Sequence, residues 1–297
     1  MIYVDDSILQ KGKSATAGSK ILESFIAPFD ATVVTRTGEN IEPVALAEFG
    51  LGDPGQLPGA PMLCNDVFGY VRCRAAQQGL CYIRPTYGTV SRFGLIPTVC
   101  SMDQIGIVCE NPRDGFAMLE TVAGYDEKDG AMFPQERYSY AKTETKPSIT
   151  ASTPVYADVY GQVMTILAYA EISNNISRYD GIKFGYRASN CKNLEVLYTK
   201  TRTEAFGLET KLAAIMGCMV LSRDGSKYYE KAMEIRRLIK ESLSFDQYNI
   251  IALPVDSHLA ALAGLPSLTF SHNGTDIQWV ADVKQESLLL TAWEAKQ

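Results

Sequence analysis

Apolar and polar positions follow two different periods along this chain of 297 residues. Short apolar runs bounded by polar or turn-forming residues predict buried strands, whereas apolar residues spaced three and four apart predict helices. The strands are predicted at residues 31–34, 80–84, 104–109, 249–255, 267–271 and 277–282. The helices are predicted at residues 16–27, 112–122, 155–172, 204–221, 227–243 and 286–296. This alternation is typical of an α/β fold, and we expect a mixed β-sheet core covered by helices on both faces.

Two of the predicted helices have a defined apolar face. In residues 16–27 this face consists of Ile21, Leu22, Phe25 and Ile26, and the helix leads into the strand at 31–34. In residues 227–243 one apolar stripe consists of Ala232, Ile235, Ile239 and Leu243. The charged residues of this helix are predicted to lie outside the stripe: Arg236, Arg237 and Lys240. The helix at 112–122 has a proline in its first turn and is closed by Gly124.

The chain shows no internal repeat and no boundary in composition. Its apolar content of 46% is sufficient for one large core, so we expect a single domain over residues 1–297. Residues 126–153 are polar, contain prolines and lack periodicity, and we expect a loop region or an exposed hairpin there.

Charge and cysteine usage exclude several classes of protein. A net charge of −6 and a pI near 5.1 argue against direct binding of nucleic acid. No long apolar span and no basic-then-apolar start are present, so we expect neither membrane insertion nor export. The seven cysteines lack C-x-x-C spacing, which is typical of reduced thiols in a cytoplasmic protein. We expect no metal and no cofactor.

Two motifs near the middle of the first half carry the clearest functional signal. Residues 84–95 read R-P-T-Y-G-T-V-S-R-F-G-L, and residues 101–106 read S-M-D-Q-I-G. They resemble the central signature of the amidase-signature family, and within it the branch formed by the A subunits of glutamyl-tRNA(Gln) amidotransferase. Residues 173–187, 201–209 and 262–268 are similar to further runs of the same family. The resemblance implies an amidase fold and, as the family activity, amide hydrolysis.

The same resemblance implies a catalytic site made of a nucleophilic Ser, a bridging Ser held by a cis peptide, and a Lys. The Lys of the family motif V-K-D-N-I aligns with Asp5, and the nucleophile aligns with Tyr70. The loop of the bridging Ser, the central insertion, a late substrate loop and the family's N-terminal helices have no counterpart. An aspartate at neutral pH neither donates a proton nor carries positive charge, and the bulk of Tyr70 is expected to fill the pocket. We therefore expect a catalytically inactive relative.

Rearranged chemistry is the alternative to inactivity. It predicts release of ammonia from amides, with Ser7 or Cys81 or Tyr70 as the group that matters. Cys64 is a further thiol near the aligned site, but the two histidines, His258 and His272, lie far along the chain. The run from Ser189 to Lys192 matches the S-x-x-K pattern of penicillin-binding proteins, without its companion motifs.

The family's ligand-binding residues carry over to four positions of this chain. Tyr179 and Arg202 match the Tyr and Arg that hold glutamine, although the acidic partner in the late loop is missing. Either residue has a structural interpretation as well: Arg202 as a cap at the start of a helix or a partner of Glu204, and Tyr179 as a packed turn residue. Asp66 and Arg72 match family positions and are expected to form a scaffold ion pair.

These observations leave three functions open. The first is an inactive amidase relative that acts as a binding or assembly partner, as a homodimer or with amidotransferase-type subunits. The second is an active A subunit of an amidotransferase, or an amidase, with a rearranged site. The third is a sensor that binds a small amide such as glutamine at Tyr179 and Arg202 without turnover.

Overall fold

The computed structural model of this chain describes residues 1–38, 40–151 and 153–296. Its strands are β1 (Ile2–Asp5), β2 (Ile41–Val44), β3 (Met62–Asn65), β4 (Cys81–Arg84), β5 (Ile105–Cys109), β6 (Ile149–Thr150), β7 (Ile250–Pro254), β8 (Ser267–His272) and β9 (Thr275–Ala281). Within the described ranges these strands form one sheet in the order β2-β1-β3-β5-β4-β8-β9-β7-β6. The β1 strand pairs in parallel with β2 and β3, and β6 with β7, while the other pairs are antiparallel.

Helices cover both faces of this sheet. They are α1 (Thr32–Thr37), α2 (Tyr70–Gln77), α3 (Pro112–Val122), α4 (Tyr160–Ile176), α5 (Leu194–Ala205), α6 (Leu208–Leu221), α7 (Ser226–Glu241), α8 (Leu259–Ala263) and α9 (Glu286–Glu294). One apolar cluster joins one face to α4, α6, α7 and α8, and another joins the opposite face to α1, α3 and α9. Consecutive residues of β7 alternate between the clusters, Ile250 in one and Ile251 in the other, as the period of a strand requires. The predicted α/β class with helices on both faces is confirmed.

Most predicted elements of the second half are present. The strands predicted at 249–255, 267–271 and 277–282 correspond to β7, β8 and β9, and the helices at 155–172, 204–221, 227–243 and 286–296 to α4, α6, α7 and α9. The helix α3 has the predicted bounds because the Asn111 side chain accepts a hydrogen bond from the Asp114 N–H and a proline occupies the first turn. None of the helices in the described ranges is long and apolar enough to cross a membrane.

Two predictions near the N-terminus are wrong. Residues 16–27 form a loop with one 3-10 turn, Lys20–Leu22, because Ala17 and Ser24 adopt positive φ values of 48° and 65° that no α-helix allows. Residues 31–34 lead into helix α1 instead of forming a strand. The Thr32 hydroxyl donates to Asp126, and Gly38 ends the helix with a φ of 88°.

Arg236 was expected on the solvent-exposed face of α7, but its side chain points into the molecule. Its guanidinium donates to the Leu262 carbonyl at 2.8 Å and to the Ser101 hydroxyl and carbonyl at 2.9 and 3.0 Å. These bonds join α7 to the loop that precedes β5. Burial lowers the pKa of this guanidinium.

Residues 126–148 contain no helix or strand, and the segment ends in the short edge strand β6. Its polar side chains hold neighbouring loops: Asp126 accepts from Ser91 Oγ at 2.7 Å, and Asp129 accepts from the Arg92 guanidinium at 2.7 and 2.9 Å. The segment is thus tied to the motif at residues 84–95.

Candidate active site

Asp5 and Asn65 end the neighbouring parallel strands β1 and β3, and so they reach the same edge of the sheet. Both side chains are buried. They line one small cavity together with Ser7, Ala17, Ala47, Phe49, Gly50, Val67, Phe68 and Thr98.

The cavity is too small for a substrate. Its volume is about 10 Å³, roughly the space of a single water molecule. Pockets that enclose small organic ligands have volumes of about 300–1,000 Å³. An amide substrate therefore has no access to Asp5 or Ser7 in this conformation.

Phe49 lines the cavity and packs against two other aromatic rings. Its side chain is buried, stacks on the Tyr179 ring at a centroid distance of 5.7 Å, and meets the edge of Phe206 at 6.3 Å. The residue holds a left-handed backbone conformation with φ 49°, which is unfavourable for a side chain other than glycine. Packing of the ring compensates for this backbone conformation.

Glu48 fixes the segment that carries Phe49. One carboxylate oxygen accepts the Ser19 hydroxyl, and the other accepts the Thr210 hydroxyl and the Gly207 N–H, the last at 2.8 Å. These partners belong to the N-terminal loop and to the start of α6. The aromatic ring is therefore held in the site from two sides.

Asp5 and Ser7 form a hydrogen-bonded pair beside Phe49. The Ser7 hydroxyl donates to Asp5 Oδ2 at 2.7 Å, and the Ser7 N–H donates to Oδ1 at 3.2 Å. Burial raises the pKa of Asp5 from 3.8 to about 7; the bonds from Ser7 oppose the rise and the charge of Asp6 adds to it. Burial thus shifts Asp5 toward the protonated form, in contrast to the fully ionised aspartate that the sequence suggests.

The raised pKa makes stability depend on pH. Because the folded pKa lies above the unfolded one, the folded chain binds more protons between about pH 4 and pH 7, and stability falls as pH rises through this window. We expect Asp5→Asn to increase the free energy of unfolding by up to about 4 kcal/mol near pH 8 and to give little gain near pH 4. Urea unfolding of both proteins at the two pH values measures this. An equal gain at both pH values would contradict the raised pKa of Asp5.

Tyr70 does not fill the pocket, contrary to expectation. It is the first residue of α2, its side chain is 45% exposed, and it is absent from the cavity lining. Its ring lies 6.3 Å from that of Phe68, which does line the cavity. The pocket is closed by Phe49 and Phe68 instead.

Asp66 and Arg72 are joined by an ion pair of 3.2 Å and are each 2% exposed. Asp66 also accepts the backbone N–H groups of Gly69, Val71 and Arg72 at the start of α2. Arg72 donates further to the carbonyls of Val255 and Ser257 at 2.9 and 2.7 Å. The pair thus caps one helix and connects it to the loop that follows β7.

Tyr179 and Arg202 lie near each other, but neither lines the cavity. The Arg202 guanidinium donates to the carbonyls of Ile176 and Tyr179 at 3.0 and 3.4 Å, at the C-terminal end of α4. It also lies over the Phe206 ring at 4.9 Å. Burial raises the pKa of the Tyr179 hydroxyl to about 12. Glu204 pairs with Lys200 at 3.7 Å, not with Arg202.

Comparison with protein families decides the relationship. The profile of the family Amidase matches residues 60–151 and 143–291. The A subunit of glutamyl-tRNA(Gln) amidotransferase from Listeria monocytogenes is 32% identical over an alignment that is 327 residues long with its gaps. The alignment covers 85% of this chain and 68% of that protein. The chain belongs to the amidase family.

Solved structures show that the fold is shared. The A subunit of glutamyl-tRNA(Gln) amidotransferase from Thermotoga maritima has a TM-score of 0.71 at 22% identity, covering 98% of this chain and 81% of that one. Peptide amidase from Stenotrophomonas maltophilia has a TM-score of 0.76 at 18% identity, covering 99% and 82%. The alignment with the Listeria protein spans 327 residues while using 85% of this shorter chain, so it contains stretches with no counterpart here.

Other nucleophiles of this amidase-family chain are poorly placed. Burial raises the pKa of the Cys81 thiol to about 11 and that of Cys64 above its usual range, which disfavours the reactive thiolate. Burial lowers the pKa of His258 to about 4. Ser189 and Lys192 are both exposed, and the Ser189 carbonyl accepts from Lys200 Nζ at 2.8 Å.

Proposed function

We propose that this chain is a non-hydrolytic member of the amidase family that acts as a binding or assembly partner. The observation that carries the proposal is the closed cavity at Asp5, whose volume of about 10 Å³ leaves no room for an amide. The tyrosine at the aligned nucleophile position lies outside that cavity, on the exposed start of α2.

The assembly role is supported by the kind of relative the chain resembles. The Listeria protein is named for its place in an amidotransferase of more than one chain. We propose an amidotransferase-type subunit or a second copy of this chain as the partner, with no direct contact to nucleic acid. All seven cysteines are free, which supports a cytoplasmic location.

A second candidate is the A subunit of an amidotransferase, or an amidase, with a rearranged site. The hydrogen bond of 2.7 Å between the Ser7 hydroxyl and Asp5 favours it, because a hydroxyl beside a carboxylate is an arrangement of nucleophile and base. Turnover would require Phe49 to leave the cavity. The sensor for small amides is not put forward, because Tyr179 and Arg202 are occupied by aromatic packing and by backbone carbonyls.

Covalent labelling separates the two candidates. A fluorophosphonate phosphonylates an activated serine hydroxyl with loss of fluoride, and the adduct is read by intact mass. For the assembly role we expect the mass of the wild-type chain to stay unchanged. A stoichiometric adduct that is lost in Ser7→Ala would overturn the proposal in favour of the rearranged site.

A further inference from the structure

Helix α6 places its small side chains inward and its large apolar ones outward. The buried side consists of Thr210, Ala213 and Gly217, and Gly217 meets α4 at Tyr169 and Ser173. The opposite side carries a stripe of exposed apolar residues: Leu208, Leu212, Ile215, Met216 and Met219. An ordinary surface helix has the reverse arrangement. We call these five residues the α6 stripe.

The helix cannot rotate to bury the α6 stripe. A Cβ atom at Gly217 would overlap the Tyr169 carbonyl oxygen and come within 2.5 Å of Ser173 Cβ, so only glycine fits the crossing with α4. The Ser173 hydroxyl donates to the Ala214 carbonyl at 3.1 Å. Glu48 holds the first turn of α6 through the Thr210 hydroxyl and the Gly207 N–H. These contacts fix which face is outward.

The α6 stripe exposes a large and continuous apolar area. Residues 212–221 contain no charged side chain, and Leu208 and Met219 are 77% and 65% exposed. Together the five side chains expose on the order of 500 Å² of surface, close to the upper range of the largest apolar patch on a monomer. A stable interface buries about 800 Å² on each partner, and Leu221 and Tyr228 beside the C-terminal end of α6 are also exposed. With these two residues the apolar area approaches the area that a dimer interface needs.

We propose that the α6 stripe packs antiparallel against the α6 stripe of a second copy of this chain, across a two-fold axis. This proposal names the partner of the assembly role proposed above and rests on it. In such a pair the centre of the stripe, Ile215 and Met216, meets its own copy, and Leu212 meets Met219 of the other helix. A stripe that is symmetric about its middle is complementary to itself in this arrangement.

The charges at the two ends of α6 fit the same arrangement. Glu209 lies in the first turn and Arg223 follows the last turn, and both are exposed. An antiparallel pair brings Glu209 of each copy to Arg223 of the other, on both sides of the axis. Between them the sequence has one charged residue, Lys211, which is not part of the α6 stripe. A parallel pair would place like charges together.

Analytical ultracentrifugation of the full chain at micromolar concentration tests the proposal. We expect a dimer, and we expect Ile215→Lys to raise its dissociation constant about 100-fold or more, because two lysines would meet at the desolvated centre. Leu194→Lys on α5 is the matched control, since Leu194 and Ile215 are both 61% exposed. It should leave the dimer unchanged, and neither exposed substitution should alter the thermal midpoint of the separated monomer.

A wild-type chain that stays monomeric at this concentration would overturn the proposal, and so would a dimer that persists in Ile215→Lys. Charge exchange gives a second test: Glu209→Arg should weaken the dimer, and Glu209→Arg with Arg223→Glu should restore it. The antiparallel register is rejected if Glu209→Arg leaves the dissociation constant unchanged, or if the double variant does not restore it. Dimerisation and hydrolysis are read independently, so labelling at Ser7 would reject the non-hydrolytic role without affecting this result.

Discussion

Replacing Arg72 with methionine is expected to lower the free energy of unfolding by about 3–5 kcal/mol. The substitution leaves the buried carboxylate of Asp66 without its ionic partner. It also removes the donors to the Val255 and Ser257 carbonyls, so the connection between α2 and the loop after β7 is lost. Chemical denaturation of the two proteins measures the difference.

The controls for this prediction separate charge from geometry. Arg72→Lys keeps the charge but cannot contact Asp66 and both carbonyls with one planar group, and it should lie between the wild type and Arg72→Met. Arg74 lies on the same helix as Arg72 and forms an exposed ion pair with Asp53. Its removal in Arg74→Ala should have no measurable effect. A loss in Arg72→Met no larger than in Arg74→Ala would refute the role of the buried pair.

Replacing Phe49 with alanine is expected to lower the free energy of unfolding by about 3–5 kcal/mol, because a large cavity replaces a buried ring. The ring packs against both Tyr179 and Phe206, so its removal leaves an unfilled space beside them. Thermal and urea unfolding give the magnitude. The same variant should open the region around Asp5, which crystallography or binding of a small apolar probe would detect.

Phe49→Gly is the informative companion to this variant. It deletes more of the side chain but relieves the left-handed backbone at φ 49°, so we expect it to be about 1 kcal/mol more stable than Phe49→Ala. The opposite order would show that the backbone is not strained there. We expect neither variant to gain amide hydrolysis, because the opened cavity offers the Ser7 hydroxyl only the carboxylate of Asp5 and no neutral amine. A gain of hydrolysis that is lost on adding Ser7→Ala would favour the rearranged site.

Prediction from sequence succeeded where local signals and tertiary packing agree. The helix at Pro112–Val122 carries both an Asn cap and an early proline, and the strands β7, β8 and β9 have the apolar runs of a buried sheet. The Asn193 cap of α5, which accepts from the Val196 N–H at 2.9 Å, was a comparable signal that the prediction missed. That helix has few buried residues, and so its periodicity is weak.

Distant contacts explain the failures in the first part of the chain. The β-branched run after Ala31 favours a strand by propensity, yet Asp126 binds Thr32 from nearly a hundred residues away and helix α1 forms. Residues 16–27 have helical spacing, but positive φ values at Ala17 and Ser24 fold them into a loop around the site. No pattern in the local sequence contains these partners.

Of the site residues that the motifs indicated, only Asp5 lines the candidate cavity. The motifs located Asp5, Asp66, Arg72 and the segment of Tyr70. The closing ring was not found, because Phe49 lies in a segment without periodicity and reaches the site through the contacts of Glu48 with α6. The partial protonation of Asp5 likewise depends on its burial, which a motif cannot express.

Ammonia release is the most direct measurement of the central claim that this amidase fold has lost its hydrolytic site. The purified chain would be incubated with glutamine, asparagine and simple amides, with Ser7→Ala as the reference. We expect no ammonia above the level of that variant, because the cavity is closed and no serine with a neutral amine faces a substrate in the described residues. Release of ammonia by the wild type that is abolished in Ser7→Ala, Cys81→Ala or Tyr70→Phe would contradict the account.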